Sequence, residues 1–181
     1  MTRPSFKFGS ISGIIMAVIF LIPFLFMRDS KNLYSYFQVG EIIGYSTMIL
    51  CLLFVFFGIR SYRDTELGGM ISFGRAFSAG LMITFVASLI FGIFTIILYK
   101  FISPNLGNEM IEFYKRSIME SGKPQEFINE QLTQMEAQRE LFNNSLFQFF
   151  TMFSTVFIIG TIIAIISALI LKKNNPKTQT A

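Results

Sequence analysis

Three charged residues stand among apolar neighbours, and any chemistry would start from them. Glu41 lies near the start of one uncharged run, Arg75 near the start of another, and Lys100 closes that second run. An ionisable group inside an apolar span points by default to ion or proton passage, or to recognition of a charged ligand. Glu41 also has a plainer reading. It falls about one turn inside its run, where it stays hydrated or finds a cation, and Lys100 is the expected partner at similar depth. The functional reading of Arg75 is an anionic substrate or lipid site; its expected role is a snorkelling anchor. Glu41 and Arg75 are expected near opposite faces of a bilayer and do not pair.

Other catalytic groups are scarce. There is no His, so no imidazole serves for acid–base work or metal ligation near neutral pH. Cys51 is the single cysteine, within an apolar run, and reads as a packed, unreactive thiol. No Ser/His/Asp, Cys/His or paired-carboxylate arrangement supports hydrolysis. The stretch Gly68-Gly69-Met70-Ile71-Ser72-Phe73-Gly74-Arg75 lacks the Lys-Ser/Thr ending and the strand-before, helix-after context of a phosphate-binding loop. An enzyme, a metal and a cofactor are therefore not expected.

The elements that must position these charges are hydrophobic. Of 181 residues, 52% are hydrophobic and 14% charged, against about a quarter charged in ordinary soluble domains. Crossing hydrocarbon takes roughly 20 apolar residues in a helix, and only helices or closed barrels satisfy the backbone there. Four runs meet that length: about 8–27, 39–59, 71–99 and 146–171. They are too long for barrel strands and do not alternate. The expected class is an all-α integral membrane protein, one four-span domain over 1–181. The first run is not read as a cleaved leader, because Arg28, Asp29, Ser30 and Lys31 follow it where small residues would be needed. Arg60 and Arg63 are expected to end the second run, with Gly68 and Gly69 as a flexible connector.

One polar stretch, 101–144, separates the third and fourth runs. It reads as an amphipathic helical hairpin outside the membrane. Met110, Tyr114 and Ile118 stripe its first helix, and Ile128, Leu132, Met135 and Phe142 its second. Ser121-Gly122-Lys123-Pro124 breaks the two, with Pro124 placed as a first helical residue. The helices are expected to pack on each other, on lipid head groups or on a partner. Acids outnumber bases in this stretch, so anionic lipid is a poor explanation for it, and its acids read as a solvated face. The end of the chain, 172–181, is expected to be a disordered basic tail.

Basic residues set the orientation. Arg3, Lys7, Arg60, Arg63, Arg75, Lys172, Lys173 and Lys177 fall on one side, with Arg60, Arg63, Lys172 and Lys173 as the main topology anchors. The short loop on the other side holds only Arg28 and Lys31. Both termini are expected in the cytoplasm and the hairpin outside. Small-residue pairs at i, i+4 recur as Gly9/Gly13, Gly40/Gly44, Ala76/Gly80, Ser88/Gly92 and Gly160/Ala164, and are expected to pack helices within the chain. The net charge of +4 flanks apolar segments rather than forming a nucleic-acid stripe.

Three stretches carry a resemblance. They are Phe8-Gly9-Ser10-Ile11-Ser12-Gly13; Gly40-Glu41-Ile42-Ile43-Gly44-Tyr45 through Phe57-Gly58-Ile59-Arg60-Ser61-Tyr62-Arg63-Asp64; and Gly69-Met70-Ile71-Ser72-Phe73-Gly74-Arg75-Ala76-Phe77. Through them the chain resembles the uncharacterised bacterial membrane proteins of domain-of-unknown-function family 4199, over nearly its whole length. The resemblance implies a four-span bacterial inner-membrane protein and brings no activity, ligand or catalytic residue. Two functions are then expected in turn. The first is a non-enzymatic structural or interaction component of the cell envelope. Its partners would be the lipid bilayer and, through 101–144, a second copy or an envelope protein, with no nucleic acid. The second is a small oligomeric transporter or channel with a polar path lined by Glu41.

Overall fold

Each of the four runs becomes a helix because a backbone in hydrocarbon has no partner but itself. The computed structural model describes residues 2–26 and 30–173. The helices long and apolar enough to cross a membrane are Arg3–Phe24, Gly40–Glu66, Phe73–Ile102 and Ser145–Leu171. Arg28 and the tail from 174, with Lys177, lie outside the described residues, as does the side chain of Lys31.

The element order is α1 (Thr2–Phe26), α2 (Ser30–Leu52), α3 (Phe54–Glu66), α4 (Phe73–Ile97), a π-helical turn (Leu98–Ile102), α5 (Leu106–Met119), α6 (Gln125–Ala137), α7 (Arg139–Asn143) and α8 (Ser145–Leu171). Two boundaries differ from expectation. Arg60 and Arg63 do not end the second span: the helix runs on to Glu66, because leaving the apolar layer ends hydropathy but not helix propensity. It stops at Gly68 and Gly69, whose φ of 62° and 86° suit glycine, and Gly69 N–H donates back to Arg63 O at 2.9 Å. The third span carries its helix through Ile102, so the polar insertion starts after it.

Close approach of backbones organises the centre. A side-chain carbon on Gly9 would meet Ile83 O at 2.6 Å, and one on Gly13 would meet Ala87 O at 2.9 Å, so α1 and α4 run parallel in contact. One on Gly80 would meet Ala164 Cβ at 2.8 Å, and Gly160 abuts Thr84, so α8 lies antiparallel on the other side of α4. The small-residue spacing packs helices within the chain at Gly9/Gly13, Gly80, Gly92 and Gly160, but not at Gly40/Gly44, where Gly44 meets only the Phe20 ring. Met16, Leu52, Val55, Ile59, Ile83, Phe91 and Val156 fill the core between them.

The second span is α2 followed by α3, joined at Leu53, whose backbone stays helical and whose N–H still donates to Ile49 O at 3.2 Å. Beside the junction, the Cys51 carbonyl accepts a 2.7 Å hydrogen bond from the buried Ser12 hydroxyl of α1. Beyond it, α3 packs tightly and buries Val55, Gly58, Ile59 and Tyr62. Before it, α2 is mostly exposed, as at Ile42, Ile43, Tyr45 and Ile49.

Candidate functional site

A half-open cleft of about 270 Å³ lies between α2 and the body of the bundle, at the end where α4 finishes. Aromatic side chains of α1 and α4 form its floor: Phe20 and Phe91 meet edge to face, centroids 4.9 Å apart, and Phe94 lies 5.9 Å from Phe91. Glu41, Tyr45 and Met48 line it from α2, and Thr151, Met152 and Thr155 from α8. α5 closes the top with Met110 and Tyr114.

Among the described residues Glu41 is the only acid on this wall. Its Oε1 accepts a 3.1 Å hydrogen bond from Tyr114 Oη, which binds the insertion to the second span. Burial pushes the Tyr114 hydroxyl up to about 12, and its bond to Glu41 adds to that, so the phenol keeps its proton and remains the donor. A second tie lies nearby, where Tyr99 Oη in the π-helical turn donates to Met110 Sδ at 3.3 Å. π-helical turns often occur at functional sites. The expected Glu41–Lys100 pair is not formed. Lys100 is exposed and makes no ion pair among the described residues; the pitch of the third span turns it away from the cleft that holds its neighbour Tyr99.

The insertion packs on itself as well as on the bundle. Arg139 donates to Glu136 Oε1 at 2.6 Å, to Glu112 Oε1 at 2.9 Å and to Asn108 Oδ1 at 3.0 Å. Lys115 pairs with Glu136 and lies 3.8 Å from Glu112. Asn143 joins Asn108 at 2.9 Å, and Gly107 lets α5 approach the backbone of Phe142. Hydrogen bonds from Arg139 first, then Lys115, hold the Glu136 carboxyl down to about 2, and Glu136 in turn raises Arg139. These acids are therefore not only a solvated face: two of them join α5 to α6 and α7. The apolar stripe divides likewise. Ile111 and Ile128 are buried, while Met110 and Tyr114 turn to the cleft. The second expected helix is in fact two, α6 and α7, meeting at Gln138. Pro124 precedes the first of them by one residue.

The far end of the molecule gathers the anchors. Arg63 donates to Leu171 O at 3.4 Å, where α8 ends, and its other contacts are to Asp64. Cations at helix C-termini offset the negative end of the helix dipole. Arg60 lies 3.7 Å from Asp64. Ile71 and Lys173 exchange backbone hydrogen bonds of 3.1 and 2.9 Å, fastening the α3–α4 loop to the end of α8. Arg75 sits in the first turn of α4, which the Ser72 side chain caps, with its own side chain exposed. From Arg75 to Thr95 on the cleft wall, α4 rises about 30 Å. Arg75 and Glu41 thus lie at opposite ends, as their positions in sequence required.

Between the cleft and this end, the chain is closed. Leu52, Val55, Ile59, Ile83 and Val156 are fully buried there. Among the described residues no cluster of three or more His, Cys, Asp or Glu is placed to hold a metal. Neither a curated protein nor a solved structure matches the chain. A family model does, over residues 7–173, and its description is a protein of unknown function, DUF4199.

Proposed function

The chain belongs to the DUF4199 family, whose function is unknown, and from that premise we propose that it is a non-enzymatic component of the bacterial inner membrane. Its four helices hold the hairpin of α5, α6 and α7 in a fixed position above one face of the bilayer, for contact with another envelope protein. The observation that carries this reading is the closure of the hairpin by the Glu112–Lys115–Glu136–Arg139 network, together with its fastening to the bundle by Tyr114 and Glu41. A loop that merely joined two spans would not need either. Preorganised surfaces bind better because less freedom is lost on association.

Both termini lie in the cytoplasm on this reading. The end that gathers Arg60, Arg63, Arg75 and Lys173 faces inward by the positive-inside rule, and the hairpin faces out. Two experiments test the proposal. Replacing Cys51 by Ser and adding one cysteine at Ser121 or Thr178 gives label access from each side; protection of position 121 from an outside reagent would reverse the orientation. Crosslinking in native membranes, with and without residues 105–142, reads the interaction. Partners captured by the whole chain and lost with the deletion are the expected result, and an unchanged set would overturn it.

Glu41 on the cleft wall favours the transport reading in one respect, since a polar lining at that acid is what a pathway requires. The packed core beyond Leu52 opposes it within one chain, because no continuation of the cleft is open there among the described residues.

A further inference from the structure

The cleft has three features that together describe a ligand. Its floor is hydrocarbon and aromatic, built from Phe20, Phe91, Phe94 and Met48. It reaches the surface between α2 and α8, where Tyr45 and Thr151 are exposed on faces of membrane-spanning helices. Its one charged lining group is Glu41, which accepts from the neutral hydroxyl of Tyr114 and has no cation within 4 Å among the described residues. A carboxylate has room for about four hydrogen bonds, and Tyr114 supplies one. An acid kept beside an apolar cavity without a protein cation favours a cation brought from outside. Among the described residues no Lys or Arg lines the wall to bind an anionic head.

We propose that the cleft binds a membrane lipid with a primary ammonium head group, one hydrocarbon chain entering between α2 and α8 and the ammonium resting on the Glu41 carboxylate. The lipid enters sideways from its own leaflet. Its chain covers the aromatic floor of the cleft, and its head lies under α5, at the depth where lipid head groups sit when the hairpin is outside the bilayer. Tyr114 holds the carboxylate toward the cleft, as a positioning residue. The inference stands on the cleft and does not depend on the hairpin having a protein partner.

The chain contains no Trp and six Tyr, and Tyr45, Tyr99 and Tyr114 line the cleft, so tyrosine emission reports on its occupant directly. The full-length protein is reconstituted in phosphatidylglycerol vesicles carrying the same mole fraction of either phosphatidylethanolamine or phosphatidylglycerol with brominated acyl chains. Excess quenching by the brominated phosphatidylethanolamine is expected. The net charge of +4 attracts the anionic lipid instead, so bulk adsorption cannot produce that excess. Glu41→Gln, which keeps size and removes charge, is expected to abolish the excess. Glu66→Gln, at the far end of the same span, is expected to retain it. Equal quenching of the unaltered protein by the two lipids would overturn the proposal, as would an excess that persists in Glu41→Gln. A competition on the unaltered protein is independent of how any variant folds: dodecylamine should remove the excess and dodecanol should not. Equal displacement by both would show a site for alkyl chains without the ammonium, and would overturn the assignment.

Discussion

The two halves of the second span, α3 and α2, adjoin at Leu53 and end in opposite situations. On the α3 side of Leu53, Gly58 lets Phe8 of α1 and Ile83 of α4 press against the helix, and Val55 and Ile59 are fully buried. On the α2 side, Gly44 meets only the tip of the Phe20 ring, 3.3 Å from where its side-chain carbon would be, and Ile42 is 73% exposed. A small residue lets a facing helix come close, and rings take part in that: Gly58 is pressed by Phe8, and a side-chain carbon on Gly92 would meet the Phe149 ring at 2.8 Å. Around Gly44 only the tip of the Phe20 ring is near, and Phe20, Phe91 and Phe94 line a cleft instead of a seam.

The largest effect should come from filling the tight seams. Gly160→Leu forces side-chain atoms into Thr84 across the α4–α8 contact, which two packed helix backbones hold in place. A loss of about 3 kcal/mol in stability is expected, in line with overpacked cores, measured by unfolding in mixed detergent micelles. Gly9→Leu, facing the Ile83 carbonyl at 2.6 Å, should lose a comparable amount. If either variant were as stable as the parent, the small-residue seams would not be what fixes the body of the bundle.

The hairpin should respond to acid while the spans do not. Glu136 is held near 2 in the folded chain against an ordinary value of 4.5. A carboxyl held low stabilises the fold fully above its ordinary value, and that contribution fades as pH falls from about 4.5 toward about 2. Amide exchange over 106–143, corrected for its intrinsic pH dependence, should therefore quicken in that window, with exchange in α4 and α8 unchanged. Arg139→Gln removes the first cause of the lowered value. It should raise exchange in the hairpin at neutral pH and flatten the acid response. An unaltered profile in Arg139→Gln would show that the network does not close the hairpin.

Much of this was open to reading from the chain. Four apolar runs of spanning length leave little choice but four helices, and the separation of Glu41 from Arg75 follows from which end of its run each occupies. The small-residue pairs named the α1–α4 and α4–α8 seams, while Gly40/Gly44, of the same spacing, borders the cleft. The tie between α1 and the second span did not show itself, because it joins a Ser12 hydroxyl to a backbone carbonyl 39 residues away. The partner of Glu41 was equally hidden. Tyr114 stood out as part of an i, i+4 stripe with Met110, but a stripe says that a face is covered and not by what. Depth alone suggested Lys100, yet depth leaves the angle around the helix undetermined. The hairpin network was half visible. Glu112/Lys115 and Glu136/Arg139 each have i, i+3 spacing, while their cross-pairing requires α5 and α6 to lie together first.

Tyr114→Phe should be a smaller change than any in the seams and more informative about the cleft. It removes one hydroxyl and leaves the ring, so the hairpin keeps its aromatic packing against Phe113 and Phe142. The lost bond to Glu41 is partly solvated and should cost about 1 kcal/mol or less. Its signature is local: faster exchange in α5 alone, read by mass spectrometry, with the melting of the bundle unmoved. Gly44→Ala should be smaller still, about 0.5 kcal/mol or less, because the one group it meets is the tip of the Phe20 ring and a helix interior gains from alanine. The pair of alanine-scale changes then sharpens the contrast. If Gly44→Ala destabilised the chain as much as a change of the same size at Gly58, α2 would be packed as tightly as α3, and the cleft beside it would be closed in solution.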